Sequence, residues 1–275
     1  MPMITVLPAS RLFHAGFRSA ILAFGLLVSG LMAPPLAFAE LSNDALIGPG
    51  LRWRPAYQGS DSQRVELVPV IRYFGHPWFV RSTLGALEGG VRMELASGLH
   101  VGAQLAYESG RKASESDFLK NHNVSDINSG ASIGAHLEWD KKIGPMPITM
   151  LVRARQHTDS DRGAQVDFRF SAGVLQIGRL GAGVFTQATW ANAKSTGSFY
   201  GVTPQQSVAT GLPAFEAGSG WLYSSVGVLW LIDLMRDWVA VGSMEVRYLH
   251  GDAERSPLTE RSTNQYVSAG LAYRF

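Results

Sequence analysis

Cysteine is absent from the 275 residues, and this absence excludes several classes of protein at once. Without thiols the chain forms no disulfide, binds no metal through thiolates and has no cysteine nucleophile. Charge is also scarce, at 17% of residues. Lys and Arg number 24 against 22 Asp and Glu, and Arg11 and Arg18 both precede the first acidic residue. The remainder is therefore neutral, and we expect no nucleic-acid partner, because such partners call for a basic face.

Long apolar runs are missing from the chain beyond residue 40. A helix that spans a bilayer needs about 20 consecutive, mostly apolar residues, so the sequence argues against a helical membrane protein. Glycine is plentiful, at 30 residues, and aromatic residues make up 10% of the chain. This balance favours a sheet with one apolar face.

The first 39 residues have the layout of a secretory signal peptide. Arg11, His14 and Arg18 form a basic region, an apolar run covers 20–32, and the small-residue site Ala37-Phe38-Ala39 follows. We expect cleavage after Ala39, so that residues 1–39 are the signal peptide and residues 40–275 form one mature domain.

Beyond this segment, apolar residues recur at every second position, which is the period of a strand with one apolar face. In residues 99–108, for example, Leu99, Val101 and Ala103 alternate with less apolar neighbours. Segments of about ten such residues have the length that a tilted strand needs to cross a bilayer. Twelve segments are predicted, near 46–57, 66–74, 78–84, 89–96, 99–108, 129–139, 147–157, 163–172, 180–190, 220–231, 238–249 and 264–275. Ten strands are an alternative, because the pattern is least clear in the third and fourth segments.

The connections between these segments alternate in length. Those after even-numbered strands are mostly short, at 75–77, 97–98, 140–146, 173–179 and 233–237. Those after odd-numbered strands include the three longest, at 109–128, 191–219 and 250–263. Short periplasmic turns and longer outer loops are typical of outer-membrane barrels. Lipid offers no partner to an unpaired sheet edge, so we predict an all-β, transmembrane, antiparallel up-and-down β-barrel in the Gram-negative outer membrane, with both termini in the periplasm.

Aromatic residues support this placement. Two girdles are expected where amphipathic rings meet the lipid headgroups. The predicted periplasmic girdle contains Trp78, Trp139, Trp230, Trp238 and Phe275, and the predicted outer girdle contains Tyr57, Tyr107, Trp190, Tyr223 and Tyr248. The last strand alternates and ends on Phe275, which is similar to the signal that the outer-membrane assembly machinery recognises.

Charged residues fall on the other face of the same strands, and we expect them to line the lumen. The predicted lumen charges are Arg72, Arg92, Glu94, Glu138, Arg153, Arg155, Asp167, Arg169, Glu245 and Arg247. Neighbouring strands bring opposite charges together, for example Arg153 or Arg155 near Asp167. Two interpretations stay open: a mutually neutralised wall, or an electrostatic filter for an anionic or zwitterionic solute.

Signals of catalysis and of metal binding are weak. His100, His136 and Ser132 are predicted to face the lumen on adjacent strands, but no nucleophile motif surrounds the serines. The seven histidines show no close metal-ligand spacing. We therefore expect no catalytic residues, no metal and no cofactor.

Several sequence motifs, some of them in the outer loops, carry a resemblance to a known family. They run from Gly48-Pro49-Gly50 into Tyr57–Asp61, through Pro69–Tyr73 and Tyr200–Ser207, then through residues 211–218, and end in 251–258. From about residue 47 to its end, the chain resembles the MipA/OmpV family of outer-membrane proteins. The motif residues singled out in the loops are Tyr57, Gly59, Ser60, Tyr200, Gly201, Val202, Pro204, Gly211, Gly251, Asp252, Ser256 and Pro257.

The resemblance implies a barrel of about twelve strands and a scaffold role, in which a lytic transglycosylase is joined to a bifunctional peptidoglycan synthase. Other members of the family look like porins or adhesins. The alternatives to a scaffold are thus a small-solute channel or surface adhesin and, third, a barrel enzyme that acts on lipid. Outer-membrane lipid and lipopolysaccharide are expected neighbours. Residues 140–146 and 233–237 are the turns predicted to dock murein enzymes, whereas the motifs in the outer loops are expected to fold inward and constrict the barrel.

Overall fold

The computed structural model describes residues 44–83 and 86–275, and the predicted signal peptide lies outside these residues. Within the described ranges, twelve antiparallel strands form one closed barrel. The strands are β1 (Leu46–Pro55), β2 (Gln63–Phe74), β3 (Trp78–Thr83), β4 (Ala86–Ala96), β5 (Leu99–Glu108), β6 (Gly130–Ile143), β7 (Met146–His157), β8 (Ala164–Ile177), β9 (Leu180–Ala191), β10 (Gly220–Asp233), β11 (Trp238–Leu249) and β12 (Thr263–Arg274). The prediction of twelve strands is confirmed, and the alternative of ten is wrong.

Helical structure is confined to the loops. The helices are α1 (Asp117–Asn121), α2 (Ala193–Tyr200), α3 (Pro204–Thr210) and α4 (Gly251–Arg255), with short 3-10 turns at Ala113–Glu115 and Ser160–Arg162. In the part of the chain that the structure describes, none of the helices has the length and apolar character that crossing a membrane requires.

Closure of the barrel depends on the pairing of β1 with β12. These strands run antiparallel, with Leu46 opposite Arg274 and Trp53 opposite Val267. Every other strand pairs with its neighbours along the chain. Each strand therefore has two partners, and the sheet leaves no open edge in the bilayer.

Two periplasmic turns are tighter than the sequence predicts. Strand β6 continues to Ile143 and β8 to Ile177, so residues 144–145 and 178–179 form the turns instead of 140–146 and 173–179. The apolar alternation ends at Trp139 and Ala172, but a strand ladder is made by backbone groups and continues past the lipid. In β8 a bulge between Gly173 and Leu175 also interrupts the alternation.

The two faces of the barrel have opposite chemistry. Large apolar side chains on the outer face are exposed, up to 80% for Leu67. Polar and charged side chains on the inner face are buried, as at Glu88, Asp167 and Glu245. A water-soluble barrel would have the reverse distribution, so the exposed apolar band indicates a surface that faces lipid.

The aromatic girdles are present, with two corrections. Trp78, Trp139, Trp238 and Phe275 are exposed at the end with the short turns, and Tyr107 and Tyr248 are exposed at the end with the long loops. Tyr57 and Tyr223, however, are only 6% and 7% exposed, so neither belongs to the outer girdle.

Tyr57 lies beyond the end of β1, in the first outer loop, where strand alternation no longer applies. Tyr223 follows a bulge between Trp221 and Tyr223, which reverses the alternation in β10. Trp221, on the other side of that bulge, is 53% exposed and occupies the outer face instead.

The β1–β12 seam requires a close backbone approach at Gly48. A Cβ atom at this position would lie 2.0 Å from the carbonyl oxygen of Leu271 in β12. Because the contact atom belongs to the backbone, it cannot move away as a flexible side chain could. Gly48 is therefore a requirement of barrel closure.

We predict that Gly48→Ala lowers the free energy of unfolding by about 2 kcal/mol, in the range of overpacking substitutions. Urea unfolding of the refolded barrel, followed by tryptophan fluorescence, measures this change. Gly220→Ala is the control, because a Cβ there meets nothing within 4 Å. An unchanged unfolding midpoint for Gly48→Ala would contradict the tight seam.

Candidate functional site

An unbroken chain of alternating charges crosses the inner wall from β3 to β8. We call it the ion-pair chain, and in order of contact it consists of Arg92, Glu138, Arg81, Glu88, Arg153, Asp167, Arg155 and Glu108. Each member except the two ends contacts an opposite charge on both sides. Each charge in the chain is thus compensated by opposite charges on other strands, several of which are not adjacent in the sheet, as for Arg81 in β3 and Glu138 in β6.

The distances within the ion-pair chain are those of charge-assisted hydrogen bonds. Glu138 accepts from Arg92 at 3.1 Å and from Arg81 at 2.6 Å. Glu88, whose side chain is fully buried, contacts Arg81 and accepts from Arg153 at 2.6 Å.

Asp167 closes the other half of the ion-pair chain. It accepts from Arg153 Nη2 at 2.8 Å and from Arg155 Nη2 at 3.0 Å, and Thr189 adds a hydrogen bond of 2.8 Å. The predicted proximity of Arg153 and Arg155 to Asp167 is thus present, and both arginines contact it.

Aromatic rings and arginines alternate on the opposite wall. The guanidinium of Arg247 lies 4.0 Å from the ring centre of Tyr223 and 4.5 Å from that of Tyr266. Arg52 lies over the same Tyr266 ring at 5.0 Å. Arg247 also donates to Glu245 at 2.9 Å, so its charge is paired as well as stacked.

The remaining predicted lumen charges lie outside both groups. Arg72 donates to the carbonyl of Asp44 at 3.1 Å, and Arg169 lies over the Phe185 ring at 4.2 Å. Glu94 is exposed at the periplasmic end of β4, where it accepts from the Gly98 N–H at 2.9 Å. Of the ten predicted residues, five thus belong to the ion-pair chain, two to the wall of arginines and aromatic rings, and three to neither group.

Several inward charges were missed by the sequence analysis, namely Arg52, Arg54, Arg64, Glu66, Arg81, Glu88 and Glu108. A signal for the first two was present, since Arg52 and Arg54 alternate with Leu51 and Trp53 in β1. Arg81 and Glu88 fall in β3 and β4, where the alternation is least regular.

The histidines and serines considered for catalysis do not come together. His136 Nδ1 lies 2.6 Å from Gln104 Oε1, whereas Ser132 donates to Glu108 at 2.8 Å. A Ser–His contact occurs at the outer rim instead, where Ser224 Oγ lies 2.8 Å from His250 Nε2. Nearby Asp252 bonds to Gly218 and Arg255, so it does not orient this histidine. Among the described residues there is no cluster of three metal-ligating side chains.

The outer loops pack together over the mouth of the barrel. We call residues 56–62, 109–129, 158–163, 192–219 and 250–262 the loop cap. One buried cluster in it joins Ala56, Tyr57, Leu119, Val124, Val202 and Leu258, which come from four different loops. A second cluster contains Tyr200, Ala217 and Ala253 and continues onto the ends of β9, β10 and β11. These apolar contacts hold the loops against one another and against the strands.

Many of the loop residues that belong to the family motifs make the contacts that hold the loop cap together. The Tyr57 hydroxyl donates to the Leu258 carbonyl at 2.8 Å, and Ser256 donates to the Tyr200 carbonyl at 2.6 Å. Gly59, at φ +100°, donates to Asn264 at 2.7 Å. Ser60 is fully buried beside it.

The other motif residues shape individual loops. Val202 pairs with Phe215 across a bridge, Pro204 opens α3 within a capping box, and Gly211 ends α3 in the left-handed region. Gly201 donates back to Gly197 at the end of α2 at 2.9 Å, and Pro257 lies in the turn after α4.

Asp252 joins two loops of the cap. Its carboxylate accepts from the Gly218 N–H at 2.7 Å and from Arg255 at 2.5 Å, and Gly251 precedes it at φ +56°. The hydrogen bond from Gly218, followed by the contact with Arg255, holds the pKa of Asp252 below its ordinary value. The prediction that the motif loops fold inward agrees with this packing.

Closed strand pairing, an apolar outer band, two aromatic girdles and a charged interior define a transmembrane β-barrel of the bacterial outer membrane. The family model described as "MltA-interacting protein MipA" matches residues 47–275. The chain belongs to this family.

Two relatives are both called "MltA-interacting protein", one from Escherichia coli (strain K12) and one from Shigella flexneri. Each is 25% identical over 264 residues, covering 93% of this chain and 98% of the relative. Among solved structures, the COG4313 outer membrane channel from Pseudomonas putida F1 is similar at a TM-score of 0.49. Its sequence is 10% identical, and the match covers 89% of this chain and all of that one.

We predict that Glu88→Gln lowers the free energy of unfolding by about 3 kcal/mol, because Arg81 and Arg153 would lose the carboxylate between them. Glu94→Gln is the matched control, since Glu94 is exposed and accepts only a backbone N–H. Urea unfolding of both refolded variants measures the difference. Equal stability of the two variants would show that the ion-pair chain does not hold the wall.

Proposed function

We propose that this protein is a closed outer-membrane barrel that acts as an interaction scaffold rather than as an enzyme or an open pore. The observation that carries the proposal is the loop cap, which fills the outer mouth with buried side chains from several loops. The ion-pair chain supports it, because mutually bonded charges form a fixed wall rather than a line of free sites.

The name of the relatives supports a partner on the periplasmic side. We infer that the chain binds a lytic transglycosylase of the MltA type and, through the same scaffold, a bifunctional peptidoglycan synthase. A periplasmic enzyme reaches only the rim of short turns and the lumen above it. Outer-membrane lipid and lipopolysaccharide surround the barrel in this arrangement. The mature domain would begin at Glu40, after cleavage of the signal peptide 1–39.

The periplasmic rim offers exposed apolar side chains for such docking. Ile143, beside the turn 144–145, is 61% exposed, and Met235, in the turn 234–237, is 72% exposed. Lys141 and Lys142 lie in β6 rather than in the turn predicted at 140–146, but both are exposed at the same rim. Apolar side chains surrounded by charge are typical of transient protein interfaces.

We predict that the double substitution Ile143→Ser and Met235→Ser weakens binding to a purified lytic transglycosylase of the MltA type at least tenfold, as expected for the loss of central apolar contacts. Surface plasmon resonance with the refolded barrel measures the affinity. Val208→Ser is the control, because Val208 is 89% exposed but lies in the loop cap, on the opposite side of the membrane. Unchanged binding by the double variant would refute docking at this rim.

A second prediction concerns the closed mouth. Refolded residues 40–275 should give no discrete conductance steps in a planar bilayer, because the loop cap covers the outer end. Replacing residues 202–215 by a short Gly-Ser linker removes Val202, Leu212 and Phe215 from the cluster that joins Ala56, Tyr57 and Leu258, and should produce measurable steps. Steady conductance by the unmodified barrel would instead favour the small-solute channel.

A further inference from the structure

A groove lies on the outside of the barrel, where β9 and β10 meet the loop cap. Its volume is about 500 Å³, which falls in the usual range of small-molecule pockets. Ala188 and Ser224 line it on the strands, and His250, Asp252 and Arg255 line it on the last outer loop. We call it the outer groove.

The floor of the outer groove faces lipid. Four residues lie side by side across β8, β9, β10 and β11, in the order Phe168, Ala188, Ser224 and Tyr248. Side chains that lie directly opposite one another in a sheet share one face. Phe168 and Tyr248 are both exposed, so the row lies on the outer face of the barrel. Two small side chains are thus placed between two aromatic rings, and they leave a depression in the apolar surface.

The outer groove lies at the depth of the lipid headgroups. Tyr248 belongs to the outer aromatic girdle, and Trp221, which lines the groove, is exposed on the same face. The ring centres of Trp221 and Phe168 lie 6.0 Å apart. Exposed Trp and Tyr rings are typical of the level at which headgroups begin. A lipid beside this face therefore places an acyl chain over Ala188 and its headgroup beside the loop.

The loop side of the outer groove carries one positive and one negative charge. Arg255 donates to Asp252 at 2.5 Å, and its side chain is 68% exposed, so most of the guanidinium is accessible to a ligand. Asp252 also accepts from the Gly218 N–H at 2.7 Å, which holds its carboxylate in place. Among the described residues that line the groove, Arg255 and Asp252 balance each other.

This balance selects among headgroups. A zwitterionic headgroup offers a phosphate to Arg255 and an ammonium group to Asp252, so both charges of the groove find a partner. A polyanionic headgroup satisfies only the arginine and is repelled by Asp252 and by Glu254, which is exposed next to Arg255.

A hydrogen bond joins the floor of the outer groove to its charged side. Ser224 Oγ lies 2.8 Å from His250 Nε2, and the His250 N–H donates to the Leu222 carbonyl at 3.0 Å. His250 thereby fixes the start of α4 against β10. Because α4 carries Asp252 and Arg255, both charges are held at a defined height above the apolar floor.

We propose that the outer groove binds one phospholipid with a zwitterionic headgroup, whose phosphate contacts Arg255, whose ammonium group contacts Asp252 and whose acyl chain lies over Ala188. Charge-assisted hydrogen bonds of this kind are stronger than neutral ones, and the acyl chain removes apolar surface of the groove from water at the interface. This proposal does not depend on the scaffold function, since the groove faces the outer leaflet and not the periplasm.

Native mass spectrometry of refolded residues 40–275, released from detergent, tests the proposal. The probes are phosphatidylethanolamine and phosphatidylglycerol with the same acyl chains, and lipid A in a separate titration. One phosphatidylethanolamine should stay bound, with phosphatidylglycerol about tenfold weaker because it lacks the ammonium group. Lipid A should also bind more weakly than phosphatidylethanolamine.

Ala188→Leu tests the floor of the outer groove. It fills the depression with a side chain that is compatible with a lipid-facing position, and it should weaken the binding of both phospholipids about tenfold. Thr186→Leu is the matched control. Thr186 is exposed on the same face of β9, two residues away, and does not line the groove. This variant should bind both phospholipids like the unchanged protein.

Arg255→Gln tests the headgroup contacts and should weaken phosphatidylethanolamine binding about tenfold. Arg261→Gln is its control, because Arg261 is an exposed arginine of the same loop that pairs with Asp61 and does not line the outer groove. Asp252→Asn keeps an acceptor for the Gly218 N–H and should abolish the preference for phosphatidylethanolamine over phosphatidylglycerol.

If Arg255→Gln fails to refold, Asp252→Asn carries the headgroup test. Four results would overturn the proposal: equal retention of the two phospholipids by the unchanged barrel, tighter binding of lipid A, unchanged binding by Ala188→Leu, or equal losses in Arg255→Gln and Arg261→Gln.

Discussion

Inside a bilayer, a backbone N–H or C=O group without a protein partner has no water to bond, and this constraint organises the whole structure. The pairing of β1 with β12 satisfies this requirement for backbone hydrogen bonds, because each of the twelve strands then has a partner on both sides. Closure also determines the placement of side chains. The outer face of every strand must be apolar, and polar residues are left to the inside.

The charged residues of the interior are subject to a second constraint. Charges that face one another across a narrow lumen are costly unless each has an opposite neighbour. The ion-pair chain solves this by placing Arg81 between two glutamates and Arg153 between Glu88 and Asp167, so that the pairs interlock across six strands. The other wall uses the rings of Tyr223 and Tyr266, over which Arg247 and Arg52 lie.

The loop cap is not subject to the alternation that lipid imposes on the strands, because it lies beyond the lipid. Its residues form a small water-excluded core of their own, in which Tyr57 and Tyr200 are buried and donate their hydroxyls to neighbouring loops. This core packs over the outer end of the lumen. It also explains why motif residues concentrate in the loops: they build the cap, whereas many apolar residues can face lipid equally well.

The sequence by itself determined the barrel. A period of two in apolar residues, repeated twelve times with alternating short and long connections, predicts the strands because lipid imposes the alternation residue by residue. It also predicted which face charges such as Arg153 and Asp167 occupy. The sequence failed where alternation is interrupted or absent, at the bulge before Tyr223, in the turn that contains Tyr57, and at the extended end of β6.

Only the tertiary structure decided which charges pair and what the loops do. Arg81 bonds to Glu138, and Arg153 to Glu88, 57 and 65 residues away along the chain, and such partners depend on strand tilt and register rather than on local pattern. The roof of the lumen is likewise a product of distant segments, since Gln58 meets Tyr200 and Arg111 meets Phe199 only when the loops have packed. Local periodicity determines the strands of the barrel wall, and long-range packing determines the ion pairs of the interior and the structure of the loop cap.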